Sequence, residues 1–151
     1  MNIIIDSAFL LHQTHFVLSS MHKESANIKE LYSTQKDIDD FLFKFITDMN
    51  KMVNYPRSIK RIIVCQESHS WRKDCNIDYK ANRKKDDNDK EKWDTIYKVW
   101  NRTIDLLSDV ARENGIFMSK LEQCEGDDLI HFWCQYFHKK NENVLVIGND
   151  N

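Results

Sequence analysis

Proline occurs once and glycine three times in 151 residues. A turn-rich all-β fold needs many of both, so their scarcity excludes one and favours helices with few connections. Cysteine is sparse too. Cys65, Cys75, Cys124 and Cys134 contain no CxxC pair, which excludes a zinc knuckle. In a chain this long they do not form a secreted disulfide framework, and they read as reduced thiols of a cytosolic protein. Long apolar runs are missing. None approaches the roughly 20 residues of a membrane helix, so no membrane partner is expected. The opening Met1-Asn2-Ile3-Ile4-Ile5-Asp6 has no basic stretch and its apolar run stops at Asp6, unlike a signal peptide. Neither sign of charge dominates: 24 acids face 22 bases, a net charge of −2. That balance excludes a uniformly basic nucleic-acid coat and leaves room for a local basic patch.

What is present is the composition of a globular domain, 41% hydrophobic and 30% charged. A chain of this size buries roughly 70% of its unfolded surface and folds without a disulfide or structural metal. Ile3–Ile5 is a β-branched run that reads as a strand buried on both faces, with Asp6 at its end. Residues 7–20 read as a helix and 21–35 as a loop or irregular helix. Residues 36–55 carry Ile38, Phe41, Leu42, Phe45, Ile46, Met49, Met52 and Val53 at helical spacing, and Pro56 stops them. Lys60–Gln66 is a second buried strand. Trp93–Asn114 is again helix-periodic, closed by Asn114-Gly115. Ile116–Met118, Gly126–His138 and Val144–Ile147 read as strand, helix and strand. The alternation predicts an α/β fold, a parallel doubly wound sheet with helices on both faces.

Ligands of such sheets bind beyond the carboxyl ends of the strands. Asp6, Glu67, the group Glu125, Asp127 and Asp128, and Asp150 follow the four strands in turn. One acid at a helix start is more often a cap than a ligand, and one after a strand is usually turn chemistry. The coincidence at all four strand ends is what points to a metal site. Clustered carboxylates repel unless a cation neutralises them, and oxygen-only sites suit Mg²⁺ or Mn²⁺. A pair of such ions serves phosphodiester hydrolysis. The six histidines show no ligand spacing.

Residues 67–92 hold a second constellation. Trp71-Arg72 is followed by Tyr79-Lys80-Ala81-Asn82-Arg83 and then the charged run from Lys84 to Lys92, predicted to be solvated and mobile. Arginine and lysine match phosphate oxygens, and aromatic rings stack on bases. The plain alternative is a solvated loop with one or two rings packed inward.

Together, I-I-I-D-S at 3–7, I-V-C-Q-E-S-H-S-W-R at 63–72, Y-K-A-N-R at 79–83, E-G-D-D at 125–128 and V-L-V-I-G-N-D at 144–150 resemble the flap endonuclease and 5′→3′ exonuclease superfamily. The resemblance is nearest to its bacteriophage ribonuclease H and phage 5′ nuclease branch. It implies metal-dependent hydrolysis at 5′ ends, flaps or RNA primers of DNA or RNA–DNA hybrids, in the host cytoplasm for a phage protein, with two Mg²⁺ or Mn²⁺ ions. Asp6, Glu125, Asp127, Asp128 and Asp150 match the family's metal-binding acids, with Glu67 or Gln66 where the family has an aspartate. Arg72, Lys80 and Arg83 match its catalytic cations at the base of an arch formed within 67–92. Trp71, Tyr79, Lys84 and Lys85 fall among its nucleic-acid contacts. The family's helix-hairpin DNA-binding half has no counterpart in 1–151. The expectation is therefore activity that depends on a separate C-terminal half, carried by a second polypeptide, or self-association. A small PIN-type ribonuclease shares the strand-end acids, but the W-R and Y-K-x-x-R elements argue against it. A third reading is a nucleic-acid-binding or regulatory protein that keeps this fold without its catalysis.

Overall fold

The computed structural model describes residues 1–21, 32, 34–53, 59–81 and 87–148. Strand β1 (Asn2–Asp6) leads into helix α1 (Ser7–Met21), then α2 (Gln35–Val53), β2 (Arg61–Cys65), α3 (Trp71–Cys75) and α4 (Asp87–Ala111). Strand β3 (Ile116–Ser119), α5 (Gly126–Lys139) and β4 (Val144–Ile147) complete the described chain. The four strands form one sheet in the order β3-β2-β1-β4. Every pairing is parallel, with Ile4 facing Ile63 on one side and Val146 on the other.

The side-chain alternation of β1 divides the core. Ile3 and Ile5 point with Val64 into a large cluster built from Leu10 and Leu11 of α1, Phe41, Phe45 and Met49 of α2, and Ile96, Val99, Trp100 and Leu107 of α4. Ile4 points the other way, with Ile63 and Cys65, onto Leu129 and Phe137 of α5. Helices thus cover both faces, as the alternation predicts. Three helices pack on one face and one on the other, so the winding reverses between β1 and β4. In an open α/β sheet that reversal opens a crevice at the strands' carboxyl ends.

The predicted elements all form, with shifted ends. Helix α4 begins at Asp87, six residues before the predicted Trp93. Acids lead and lysines follow in Asp87–Lys92, the charge order a helix N-terminus favours. The run Lys84–Lys92 therefore has a helical backbone from Asp87 on, and residues 84–86 lie outside the described residues. The predicted loop at 21–35 and the stop at Pro56 also lie largely outside them. Helix α3 is too short to show periodicity. Ser70 starts it by accepting the Arg72 N–H at 3.3 Å. After Ala111 the chain tightens through a 3₁₀ turn, Arg112–Asn114, and Gly115 leaves it at φ +70°. A methyl group there would meet no atom within 4 Å. Gly115→Ala is therefore expected to cost about 1 kcal/mol through backbone strain alone, read from urea unfolding midpoints.

Candidate active site

Asp6 ends β1 at the crevice, and its Oδ1 accepts the Ala8 N–H at 2.9 Å, capping α1. Burial pushes its pKa up and the Asp127 charge adds to this, against the Phe9 and Ala8 N–H groups. Glu67 follows β2 by two residues. Burial of its carboxyl raises its pKa as well, opposed by the Gly126 N–H and reinforced by the charges of Asp6 and Glu125. Both acids close on Gly126. A Cβ there would sit 3.1 Å from Glu67 Oε1 and 3.8 Å from Asp6 Oδ1, so the glycine of E-G-D-D admits the two carboxylates.

Glu125, at the N-cap of α5, is 6% exposed. Its Oε1 accepts Lys80 Nζ at 2.6 Å; its Oε2 accepts the Tyr79 hydroxyl at 2.7 Å and Arg72 Nη1 at 3.2 Å. Burial would raise its pKa, but the Lys80 and Tyr79 hydrogen bonds outweigh it and hold the carboxyl below its usual range. Asp128 receives the Arg72 fork, Nη2 to Oδ1 at 2.5 Å and Nη1 to Oδ2 at 2.8 Å. That fork depresses the Asp128 pKa, and the same bond raises that of Arg72. The Arg72 guanidinium lies 4.8 Å from the Trp71 ring and 5.9 Å from the Tyr79 ring. Burial works against the Lys80 charge, yet its pKa is raised by the bond to Glu125. Lys80 holds a left-handed backbone, φ +59°.

A cleft of about 1150 Å³ opens in front of these groups. Glu67, Glu125 and Lys80 line it, with Ser7, Gln66, Lys73 and Lys120. Lys73 and Lys120 escaped the sequence reading, although Lys120 directly follows β3, where the strand-end rule looks. The structure therefore brings together Asp6, Glu67, Glu125, Asp127, Asp128, Arg72, Tyr79 and Lys80. Trp71 is half exposed beside them. Arg83, Lys84, Lys85 and Asp150 lie outside the described residues.

Among the described residues, no three His, Cys, Asp or Glu side chains are grouped tightly enough to hold a metal ion. Glu125 and Asp128 instead face internal cations. Among the described residues Asp6 and Glu67 hydrogen-bond no cation; burial is the main cause of their raised proton affinities, neighbouring carboxylates add to it, and the Lys80 charge opposes it at Glu67. That all-oxygen pair fits a hard divalent cation in chemistry.

The fold is a parallel α/β domain with acids and lysines at one cleft beyond its strand ends. The chain matches the family model "5′-3′ exonuclease, N-terminal resolvase-like domain" over residues 1–151, and it belongs to that family. Two similar solved structures are the T5 D15 protein co-crystallized with metal ions (TM-score 0.59, 13% identity) and T5 5′-exonuclease with divalent zinc ions bound (TM-score 0.57, 14% identity). Each match covers 99% of this chain but only 48% and 49% of those chains, about half their length. A comparison with curated proteins found no significant match.

Proposed function

We propose that this domain carries out metal-dependent phosphodiester hydrolysis at 5′ ends, flaps or RNA primers of DNA or RNA–DNA hybrids. The observation that carries the proposal is the Tyr79-Lys80 turn bonded to Glu125, with Lys80, Glu125 and the strand-end acid Glu67 lining one cleft. Asp6, Glu67 and Asp127, with Asp150 from beyond the described residues, would hold Mg²⁺ or Mn²⁺. A bound ion supplies a Lewis acid for the phosphate and an activated water. Lys80 supplies fixed positive charge where phosphate charge develops, with Arg83 as its sequence neighbour in that role. Lys73 and Lys120 offer the cleft further phosphate contacts. Trp71 offers an exposed ring for a base.

The proposal is supported by the family, by the oxygen-rich donor set and by the metal-bound state of the two T5 structures. Its direct test is cleavage of a 5′-labelled flap and of a structured single-stranded RNA, each with and without Mg²⁺. Metal-dependent release of the flap is expected, weak for this chain alone and raised by a separate C-terminal half; cleavage of the RNA alone would favour the PIN-type alternative. Binding to the folded state should also raise the melting temperature with Mg²⁺ or Mn²⁺ concentration. Asp6→Asn keeps an N-cap side chain while removing the charge. It is expected to abolish the metal-dependent rise. It should also lift the metal-free melting temperature at neutral pH, because the raised Asp6 pKa means that its charged form weakens the fold there. A full metal response in this variant would remove Asp6 from the site.

A further inference from the structure

The E-G-D-D segment presents two adjacent acids with different surroundings. Asp128 is engaged at both of its oxygens. Its Oδ1 accepts Arg72 Nη2, and its Oδ2 accepts both Arg72 Nη1 at 2.8 Å and the Glu125 N–H at 3.1 Å. Three of roughly four lone-pair positions of a carboxylate are thereby used, two of them by a planar fork. Asp127 stands about 100° round the helix. It is exposed and has no hydrogen bond or ion pair among the described residues, and it lies close enough for its charge to act on Asp6.

Arg72 ties three segments together. It sits in the first turn of α3, its fork reaches Asp128 in α5, and its guanidinium lies against the rings of Trp71 and Tyr79. Tyr79 in turn donates to Glu125, and Lys80 follows it in the same turn. The guanidinium thus packs against the Tyr79 ring of the turn bearing Lys80 while its fork holds the start of α5. Lysine is a point donor without a fork and cannot reproduce that arrangement.

We infer that Asp128 serves as the counter-ion of Arg72 and not as a metal ligand, and that Arg72 is a positioning residue for Lys80. Of the two adjacent acids, Asp127 faces the metal side and Asp128 the scaffold. This division rests on the metal-dependent reading above, and the experiment separates the two.

Mn²⁺ binding is measured by calorimetry on the full chain for wild type, Asp127→Asn, Asp128→Asn and Arg72→Lys. Metal-free melting temperature is followed on the same set. Lys80 exposure is read as its rate of amine labelling by mass spectrometry. Asp127→Asn is expected to weaken Mn²⁺ binding by at least the roughly tenfold that even an outer-shell partner carries. Its metal-free melting temperature should stay at or slightly above the wild-type value, because the Asp127 charge opposes that of Asp6, and its Lys80 labelling should be unchanged. Asp128→Asn and Arg72→Lys should keep Mn²⁺ affinity within about threefold of wild type, below the outer-shell effect. Both should lower the melting temperature and speed Lys80 labelling severalfold, and the variant that combines Arg72→Lys with Asp128→Asn should be little worse than either single one. Loss of Mn²⁺ binding in Asp128→Asn equal to that in Asp127→Asn would overturn the division while leaving the metal reading intact. Wild type that binds no Mn²⁺ would overturn the metal reading. The labelling and melting arms would then still decide the Arg72–Asp128 role. Unchanged Lys80 labelling in both Asp128→Asn and Arg72→Lys would refute positioning by Arg72.

Discussion

Glu125→Ala should destabilise the metal-free domain by about 3 kcal/mol, seen as a lower urea midpoint at an unchanged slope. The carboxylate is buried and receives Lys80, Tyr79 and Arg72, so its loss strands three donors at once. The estimate takes the low end of the range for broken buried pairs because Arg72 and Lys80 keep 32% and 28% of their side chains exposed and can turn to water. Total stabilities of such domains are only about 5–15 kcal/mol, so the loss is a large fraction. Glu125→Gln keeps an acceptor for Tyr79 and should cost less. The same residue shapes the acid side of the stability curve. Its pKa is depressed in the fold, so its contribution is complete above the ordinary carboxylate range and drains as pH falls through the depressed value. Asp128 acts in the same sense. Asp6 and Glu67, whose values are raised, act in the opposite sense, and the fold gains as they take up protons. Glu125→Ala should therefore flatten the acid limb. A limb as steep as that of wild type would show that Glu125 is not the group being titrated.

For catalysis the largest expected effect is at Lys80. Lys80→Ala should lower the single-turnover cleavage rate by about 10²–10³-fold with little change in KM, the pattern of an interaction made mainly in the transition state. Its backbone adds a control. At φ +59° a side chain is strained where glycine is not, and such strain at a charged residue is a pointer to function. Lys80→Gly relieves the strain and removes the charge. It should lose as much activity as Lys80→Ala while folding better than that variant. Lys80→Arg keeps a cation and should retain part of the rate. Full activity in Lys80→Ala would take this residue out of the chemistry.

Sheet and helices were legible because short β-branched runs and 3.6-residue stripes are local signals. Ile3–Ile5 and the Phe41, Phe45, Met49 series each announce their element within a few residues. The parallel arrangement followed from alternation, and with it the shared edge that receives Asp6, Glu67 and Glu125. The pairing of these acids was not legible. Arg72 and Asp128 are 56 positions apart, and only the topology shows that one acid of E-G-D-D meets a guanidinium while the charge of its neighbour acts on Asp6. The sequence gives equal weight to Asp127 and Asp128, since type and position are all it offers. Gly126 was passed over for a related reason. Its small size matters only because Glu67 arrives from another strand end. The early start of α4 was hidden by a run of charges that reads as solvated chain, although their order suits a helix start.

The first of the four strands in chain order stands in the middle of the sheet. Asn2–Asp6 finds its first neighbour at Arg61 and its second only at Val144, and Asn2 itself hydrogen-bonds Glu142 at 2.8 Å. At 5–20 residues per second, synthesis of that second neighbour trails the first strand by on the order of ten seconds. During that interval one edge of a strand with three consecutive isoleucines stays open to pairing with another chain. Contacts of such long sequence separation also slow folding after release. Closure depends on a small clasp in which Arg61 reaches both Asn2 and Glu142. Damage to that clasp, far from the acids, would show up as a lower yield of folded protein before any change in what the folded protein does.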